Sequence, residues 1–420
     1  MSAATQHPSS RWTDEAMTRR VRRRYISERI FRGTGLAAIS LSVLFLAFLL
    51  WNMGSKGIGG FTQYEAQLPI DFTKTDLFLD PAALKGPDAR ETVAGADLTT
   101  ALSSAAQAAY GRDAAEMFSD AAVEKLTDKI VADPNILTGS TTLWLPVGSK
   151  VDVAAKGNGD PAAERVVNLL NQKHALHRAF NMQFLTGADA TDPSSVGVWG
   201  ALKGSFYTIM VTILLAFPIG VLAAVYLEEF APRNRWTDAI EVSINNLAAV
   251  PSIIFGLLGL AVFLDVMNLP RSAPLVGGLT LALMTFPVIV IAGRNAIKTV
   301  PPSIRDAALG VGASKMQVTF HHVLPLALPG ILTGTIIGVA RALGETAPLL
   351  MIGMRAFVAA PPTGISDPAT VLPVQIFLWS DEVDRGFIEK TSAAIIVLLL
   401  FMLLMNGLAI YLRNRFERRW

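Results

Sequence analysis

Residues 329–354 read PGILTGTIIGVARALGETAPLLMIGM. A bilayer span takes about 20 mostly apolar residues, and this stretch qualifies, yet it carries Arg341 and Glu345. At a rise of about 1.5 Å per residue, Arg341 lies roughly 18 Å along a helix that starts at Pro329. A charge at that depth costs about 2.5–3.5 kcal/mol on insertion scales, so it needs a partner, water or a function. Arg341 and Glu345 are four residues apart and can pair on one helix face. Such a pair can simply hold the helix in its bundle, or it can line a route for a charged solute, the commoner role of intramembrane charge. Gly330, Gly334, Gly338 and Ala342 form a second stripe at four-residue spacing, through which a neighbouring helix can approach closely. The face made by Thr333, Ile337, Arg341 and Glu345 borders that stripe and is expected to look into the bundle, away from lipid. An anion in a narrow passage suits arginine, whose planar fork donates two parallel hydrogen bonds to an oxyanion and stays ionised. Glu345 can restrain that arginine and accept a hydrogen bond from a protonated phosphate, which a fully ionised sulfate cannot donate.

Five further apolar windows lie at roughly 34–53, 203–227, 240–265, 274–293 and 391–412. Together they predict an all-α polytopic membrane protein with six transmembrane helices. Hydrophobic residues make up 51% of the 420 and charged ones only 17%, too oily for a soluble chain of this size. There is no cysteine, which excludes disulfides, thiolate metal sites and cysteine nucleophiles. Eight arginines fall within the first 32 residues, among them Arg19, Arg20, Arg22, Arg23 and Arg24, and Arg413, Arg415, Arg418 and Arg419 close the chain. By the positive-inside rule both termini are expected in the cytoplasm. A basic run can also be a nucleic-acid tail, but the apolar segment that follows favours a topology signal and no nucleic-acid partner. The first window lacks a clear small-residue cleavage site and reads as an uncleaved anchor. Arg233 and Arg235, then Arg294, Lys298, Arg305 and Lys315, mark two inner loops. The stretch 355–390, with Asp367, Asp381, Glu382, Asp384 and Glu389, suits the outer face.

The expected organisation is a basic terminus (1–33), a first span (34–53), an inserted extracytoplasmic α/β domain (54–200), a core of five spans (201–412) and a basic tail (413–420). In the inserted domain, helical periodicity appears at 97–110, 113–132 and 161–181, the last with Asp160 as N-cap and Pro161 in its first turn. Strand-like pieces run over Gln67–Asp71, Thr142–Pro146 and Lys150–Ala154. Gly57–Gly60 and Lys156–Pro161 read as turn clusters. No ligand constellation stands out there, which favours a spacer or docking lobe.

Between the fourth and fifth spans, residues 300–328 begin Val-Pro-Pro-Ser-Ile-Arg-Asp-Ala-Ala-Leu-Gly-Val-Gly. Pro301 and Pro302 stop what precedes, and Ser303 with Asp306 can form a capping box for a short helix. Ala307, Ala308 and Leu309 give that helix a smooth surface, and Gly310 and Gly312 let it end sharply. A second helical stretch runs over 313–323 before Leu324-Pro325 re-enters the membrane. A knob for docking and an ordinary inter-span loop both fit these residues. Asp306-Ala307-Ala308, Gly312 and Leu324-Pro325 resemble the EAA loop of binding-protein-dependent ABC importer permeases, E-A-A, three residues, G, nine residues, I, one residue, L-P. The spacing agrees throughout, with Asp306 for glutamate and His322 for isoleucine. The resemblance implies that the loop sits in a cleft of a separate ATPase and passes on its closing motion. This chain has no G-x-x-x-x-G-K-[ST], so ATP and Mg are expected on that partner, with no cofactor and no catalysis here.

Ala340–Pro348, together with Val250–Leu257 and Leu372–Trp379, is similar to the PstA family of phosphate-importer permeases, over roughly residues 195–420. The N-terminal extension resembles an extended subset of that family. The resemblance implies a type I ABC importer fold, with Arg341 and Glu345 serving phosphate passage. It also implies a second permease of the PstC type, two ATPase copies of the PstB type and a PstS-type phosphate-binding protein outside. Arg294, at the inner end of the fourth span, is a weaker substrate candidate that reads equally as an interfacial charge. Pro218, Gly220, Pro251, Gly256, Gly259 and Pro287 can bend the spans for transport or sit in static helices. The rival readings are an importer of molybdate or sulfate, and a membrane sensor whose outer domain binds ligand. Intramembrane proteolysis or hydrolysis is disfavoured, since His-Glu-x-x-His, Gly-x-Ser-x-Gly and paired intramembrane aspartates are all lacking.

Overall fold

The computed structural model describes residues 15–75, 77, 79, 81, 84, 86 and 88–416. Arg418 and Arg419 of the basic tail and the first fourteen residues lie outside the described residues. The chain divides into two compact units, residues 1–55 and 56–420. The first consists of most of helix α1 (Glu15–Gly60), whose side chains from Leu36 to Leu50 are exposed along their length, as suits a surface meant for lipid. The expected span, 34–53, is only the middle of this helix. Hydropathy marks the part that crosses hydrocarbon, whereas Arg19–Arg24 belong to a helix-forming flank, and no proline interrupts Glu15–Gly60.

The second unit begins with the last turn of α1. Gly57–Gly60, expected as a turn, is helical, and its glycines serve close approach to the last helix of the chain. A Cβ at Gly57 would stand 2.5 Å from the Ile396 side chain, and one at Gly60 would stand 2.6 Å from the Glu389 carbonyl oxygen. Strands β1 (Thr62–Asp71), β2 (Ser140–Pro146) and β3 (Leu176–Phe180) then form an antiparallel sheet in the order β2-β1-β3. Around it lie α2 (Ala89–Ala94), α3 (Leu98–Tyr110), α4 (Asp120–Ala132), α5 (Ser149–Ala155) and α6 (Pro161–Gln172). Leu68, Ile70, Leu98, Leu126, Ile130, Leu145 and Leu170 fill the space between.

Asp160 caps α6 by accepting from the Ala163 N–H, with Pro161 at the start. Two readings are corrected here. Lys150–Ala154 alternates like a strand but is helical, because Asp152 must face inward to accept from the Tyr64 N–H at 2.8 Å. The helix expected over 161–181 stops at Gln172. His174 takes φ of +51°, and Leu176–Phe180 pairs with the start of β1 instead. Sheet pairing overrides the helical pattern there.

After the short α7 (Met182–Thr186) the membrane core follows: α8 (Trp199–Phe230), α9 (Arg235–Ala248), α10 (Ser252–Val266), α11 (Pro274–Lys298), α12 (Pro302–Gly310), α13 (Lys315–Leu343), α14 (Ala347–Met351), α15 (Leu372–Ser380) and α16 (Gly386–Phe416). Among the described residues five helices, α1, α8, α11, α13 and α16, are long and apolar enough to cross a membrane. The pair α9 and α10 makes a sixth span if its 101° bend is counted within one crossing. The expected single span at 240–265 is therefore broken. Pro251 pushes the residue before it out of the helical region, and α10 restarts behind it.

The span expected over 329–354 is displaced. α13 starts earlier, at Lys315, and ends at Leu343 with Gly344 as C-cap. Had it continued, the Pro348 ring would have met the Gly344 carbonyl. At the other end a π-helical stretch, Val318–Val323, leads into Pro325 and absorbs the hydrogen bond that proline cannot make.

Candidate functional site

Gly330, Gly334, Gly338 and Ala342 form the face of α13 that meets α11. A Cβ at Gly334 would lie 2.1 Å from the Ala292 Cβ, and Gly330 and Gly338 meet Ala296 and Thr285 in the same way. The stripe Thr333, Ile337, Arg341 is one residue earlier at each step, about 100° round the helix. It was expected to face the bundle, but only one face of α13 can pack on α11, and the small residues take it. Ile337 is exposed, and the Arg341 side chain is 52% exposed. At Ile337 and Arg341 the stripe thus lies on the outside of this chain's own bundle, whereas Thr333 is half-buried and accepts from Arg413 of α16 at 3.4 Å. Arg341, in the last turn of α13, donates from Nε to the Glu345 Oε1 at 3.5 Å. Glu345, 19% exposed, lies just past the helix end. Among the described residues the Arg341 guanidinium has no other hydrogen-bond or ion-pair partner.

Arg294 is placed differently. Its side chain, 14% exposed, donates to Glu228 at 3.4 Å and to Glu241 at 2.9 Å, and Lys298 also pairs with Glu228 at 3.7 Å. In the π-helical last turn of α8, Tyr226–Phe230, Glu228 meets Arg294 of α11 and Glu229 meets Arg305 of α12. Arg294 thus donates to the end of α8 and to the middle of α9.

The 300–328 loop forms a compact knob. α12 starts on Pro301 and Pro302 with no side-chain cap, so the expected capping box of Ser303 and Asp306 is absent. A capping box does form at Ser314 and Gln317, which starts α13. The proline already fixes the first-turn geometry that a cap would otherwise select. α12 ends in a Schellman motif: Ala313 N–H donates to the Ala308 carbonyl, Gly312 N–H to that of Leu309, and Gly312 has φ of +91°. Ala308 is buried, while Asp306, Ala307, Leu309, Val311 (87% exposed) and Met316 face out. Leu324 and Pro325 are half-buried at the foot of α13.

Arg305 anchors the knob to the core. It donates to Glu229 at 2.8 and 3.1 Å, to the Val300 carbonyl at 2.6 Å and to the Ile297 carbonyl at 3.0 Å. One guanidinium thus joins α12, the foot of α8 and the carbonyl end of α11.

At the opposite end of the core, Asp189 accepts from Gln375 Nε2 at 2.7 Å and Trp379 Nε1 at 3.1 Å and so holds α15 to the segment that enters α8. Burial pushes the Asp189 carboxyl above its ordinary value, and the bonds from Trp379 and Gln375 offset part of that shift. Asp367 is shifted the other way. Bonds from the Thr363 hydroxyl and the Thr363 and Gly364 N–H groups hold its carboxyl below the usual range.

Sequence reasoning missed Glu228, Glu229, Glu241, Asp189 and Arg305's anchoring role. Only the lone polar Gln375 inside Leu372–Trp379 signalled that a buried polar contact was needed.

Residues 216–420 match the family model described as binding-protein-dependent transport system inner membrane component, and residues 18–165 match a domain of unknown function, DUF3333. The probable ABC transporter permease protein YqgI of Bacillus subtilis is 32% identical over 209 residues, covering 47% of this chain and 70% of that protein. The phosphate transport system permease protein PstA of Haemophilus influenzae is 30% identical over 229 residues, covering 54% of this chain and 79% of that protein. The inward-facing MetNI methionine ABC transporter aligns over 53% of this chain and 98% of its own at 18% identity, with a TM-score of 0.42. The membrane-length helices, the knob, the family model and the sequence relatives define a multi-pass membrane permease, a non-catalytic subunit that implies an ATPase and a substrate-binding partner. The chain belongs to the PstA-like family of binding-protein-dependent ABC importer permeases.

Proposed function

We propose that the chain forms half of the translocation pathway of an ATP-driven importer of inorganic phosphate. The observation that carries this reading, beside the family, is an arginine near the end of a membrane span, facing out of its own bundle and tethered by one carboxylate. In a two-permease channel that face meets the other half, and Arg341 then offers a planar fork to a passing dianion. Glu345 keeps the arginine oriented and limits how tightly the anion is held.

The second permease is of the PstC type, the ATPase pair of the PstB type, and the delivering protein outside of the PstS type. ATP and Mg belong to the ATPase. Both termini and the knob face the cytoplasm, and the domain carrying β1–β3 lies outside. Closure of the ATPase presses on Ala307, Leu309 and Val311. Arg305 passes that push to α8 and α11, and the spans reorient so that Arg341 opens alternately to each side. Arg294, occupied by Glu228 and Glu241, serves as a fastening in this scheme.

The test is uptake of radiolabelled phosphate by cells whose sole phosphate importer contains this chain, with excess sulfate or molybdate as competitor. Phosphate uptake that depends on the chain and resists both competitors is the expected result. Uptake abolished by molybdate or sulfate at equal concentration assigns the passage to that oxyanion, and chain-independent uptake removes the transport reading.

A further inference from the structure

Two buried lysines fasten the sheet-bearing domain to the last membrane helix. The Lys156 side chain, only 9% exposed, donates to Asp152 Oδ2 at 2.6 Å, Glu389 Oε2 at 2.8 Å, the Gly59 carbonyl at 2.9 Å and the Thr62 carbonyl at 3.1 Å. Asp152 also accepts from the Tyr64 N–H. At the next position of α16, buried Lys390 donates to the Gly60 carbonyl at 3.2 Å and lies 5.2 Å from the centre of the Phe184 ring. Alongside, the Ser149 hydroxyl donates to Asp384 at 3.0 Å, and that carboxylate accepts from the Gly386 N–H at 2.8 Å, capping the start of α16. Gly59, Gly60 and Gly386 have no room for a Cβ, since Glu389, Ala393, Ser149 and Pro193 crowd them.

Asp152 and Glu389 both pair with the Lys156 ammonium, and the carboxylates of Asp152, Glu389 and Asp192 lie near that of Lys390. The Gly59 and Gly60 carbonyls at the end of α1, which lack partners within their own helix, accept from Lys156 and Lys390 respectively. Asp152 and Lys156 lie in the region that matches the domain of unknown function, whereas Glu389 and Lys390 lie in the permease-family region. A buried ion pair is an uncertain source of stability, since similar-sized apolar residues often hold a fold as well. Its directionality is what an apolar contact lacks, because the three Lys156 N–H donors are shared among acceptors on β1, α5, α16 and the end of α1.

We propose that Lys156 is a positioning residue that locks the sheet-bearing domain to α16, so that domain and helix move as one body through the transport cycle. The domain is then an outside lever. Any protein that grips it displaces α16, and with it one of the helices that carries the passage. The idea rests on the transport reading only in naming the cycle, and its test does not depend on which anion moves.

The chain has no cysteine of its own, so spin labels at Asp128→Cys in α4 and Ile388→Cys at the exposed start of α16 report one distance in the assembled complex. In the native background a single narrow distance is expected, the same without nucleotide and with ATP trapped on the ATPase. Lys156→Met is expected to lose that single population while the complex still assembles, and Lys156→Arg to restore it. Glu389→Gln supplies an independent variant and is expected to broaden the distance as well. A distance that shifts between nucleotide states in the native background overturns the proposal, as does a narrow, unshifted distance in both Lys156→Met and Glu389→Gln. Absence of phosphate uptake alongside a constant native distance tells against the phosphate reading alone.

Discussion

Replacing Gly334 with alanine is expected to pry α13 from α11. The added Cβ would stand 2.1 Å from the Ala292 Cβ and 3.5 Å from its Cα. Two carbons rest at about 3.5–4.0 Å, so the helices must separate by roughly 1.5 Å or turn. Overpacking by one methyl group costs about 1–3 kcal/mol. Moving the methyl back, in Gly334→Ala with Ala292→Gly, relieves the collision, and contacting pairs of this kind show coupling of about 0.5–3 kcal/mol. Thermal unfolding of the purified complex measures the cost, since 1 kcal/mol moves the midpoint by about 2–4 °C in a chain segment of 150–250 residues. Uptake is read in parallel, because Arg341 stands two turns further along α13 and is displaced with it. The single variant should melt lower and transport more slowly, and the double variant should recover both. A single variant that melts with the native protein, or a double variant no better than the single, refutes the packing argument.

Arg305→Ala should leave nucleotide hydrolysis by the associated ATPase intact while uptake falls, since the knob loses its tie to Glu229 and to the Ile297 and Val300 carbonyls; hydrolysis and uptake measured on one preparation check this. Gly312→Ala forces a φ of +91° on a residue with a Cβ, costing about 1 kcal/mol, and should reduce co-purification of the ATPase. Arg294→Ala should lower thermal stability and leave the apparent affinity for phosphate unchanged, because its donors are spent on Glu228 and Glu241. Asp189→Ala strands the buried Gln375 amide and the Trp379 N–H, at about 1–3 kcal/mol for each donor left without a partner, whereas Asp189→Asn retains an acceptor and should match the native protein at low pH, where Asp189 is protonated. Because burial raises the folded-state pKa of Asp189, the folded state binds the extra proton. Stability from this group is therefore greatest at low pH and declines as pH rises from the ordinary carboxylate value through the raised one, a slope that melting curves should show in the native protein and not in Asp189→Asn.

Much of the core can be read along the chain because its signals are local. Apolar windows mark the spans, Asp160 and Pro161 mark the start of α6, and the glycine spacing marks the packing seam of α13. The knob is legible in the same way, since Gly312 at positive φ and the prolines before α12 act on their immediate neighbours. What failed was decided at a distance. Lys150–Ala154 is helical because Asp152 answers Tyr64 across 88 residues, and Gly57–Gly60 is helical because α16 packs on it more than 300 residues later. The direction of the Arg341 face could not follow from the helix alone, because two stripes competed for α11 and only the partner's shape chose between them. The acids that occupy Arg294 sit on α8 and α9 and share no motif with it.

In the proposed transport scheme Arg341 is the group that takes the anion through. A bidentate pair of charge-assisted hydrogen bonds at about 1.5 kcal/mol each is worth about 3 kcal/mol, or roughly 100-fold in rate. Phosphate uptake into proteoliposomes holding the complete complex, native against Arg341→Ala, reads that loss directly. A fall of about that size, with the ATPase still bound and hydrolysing, is the expected result, and uptake at the native rate would contradict it.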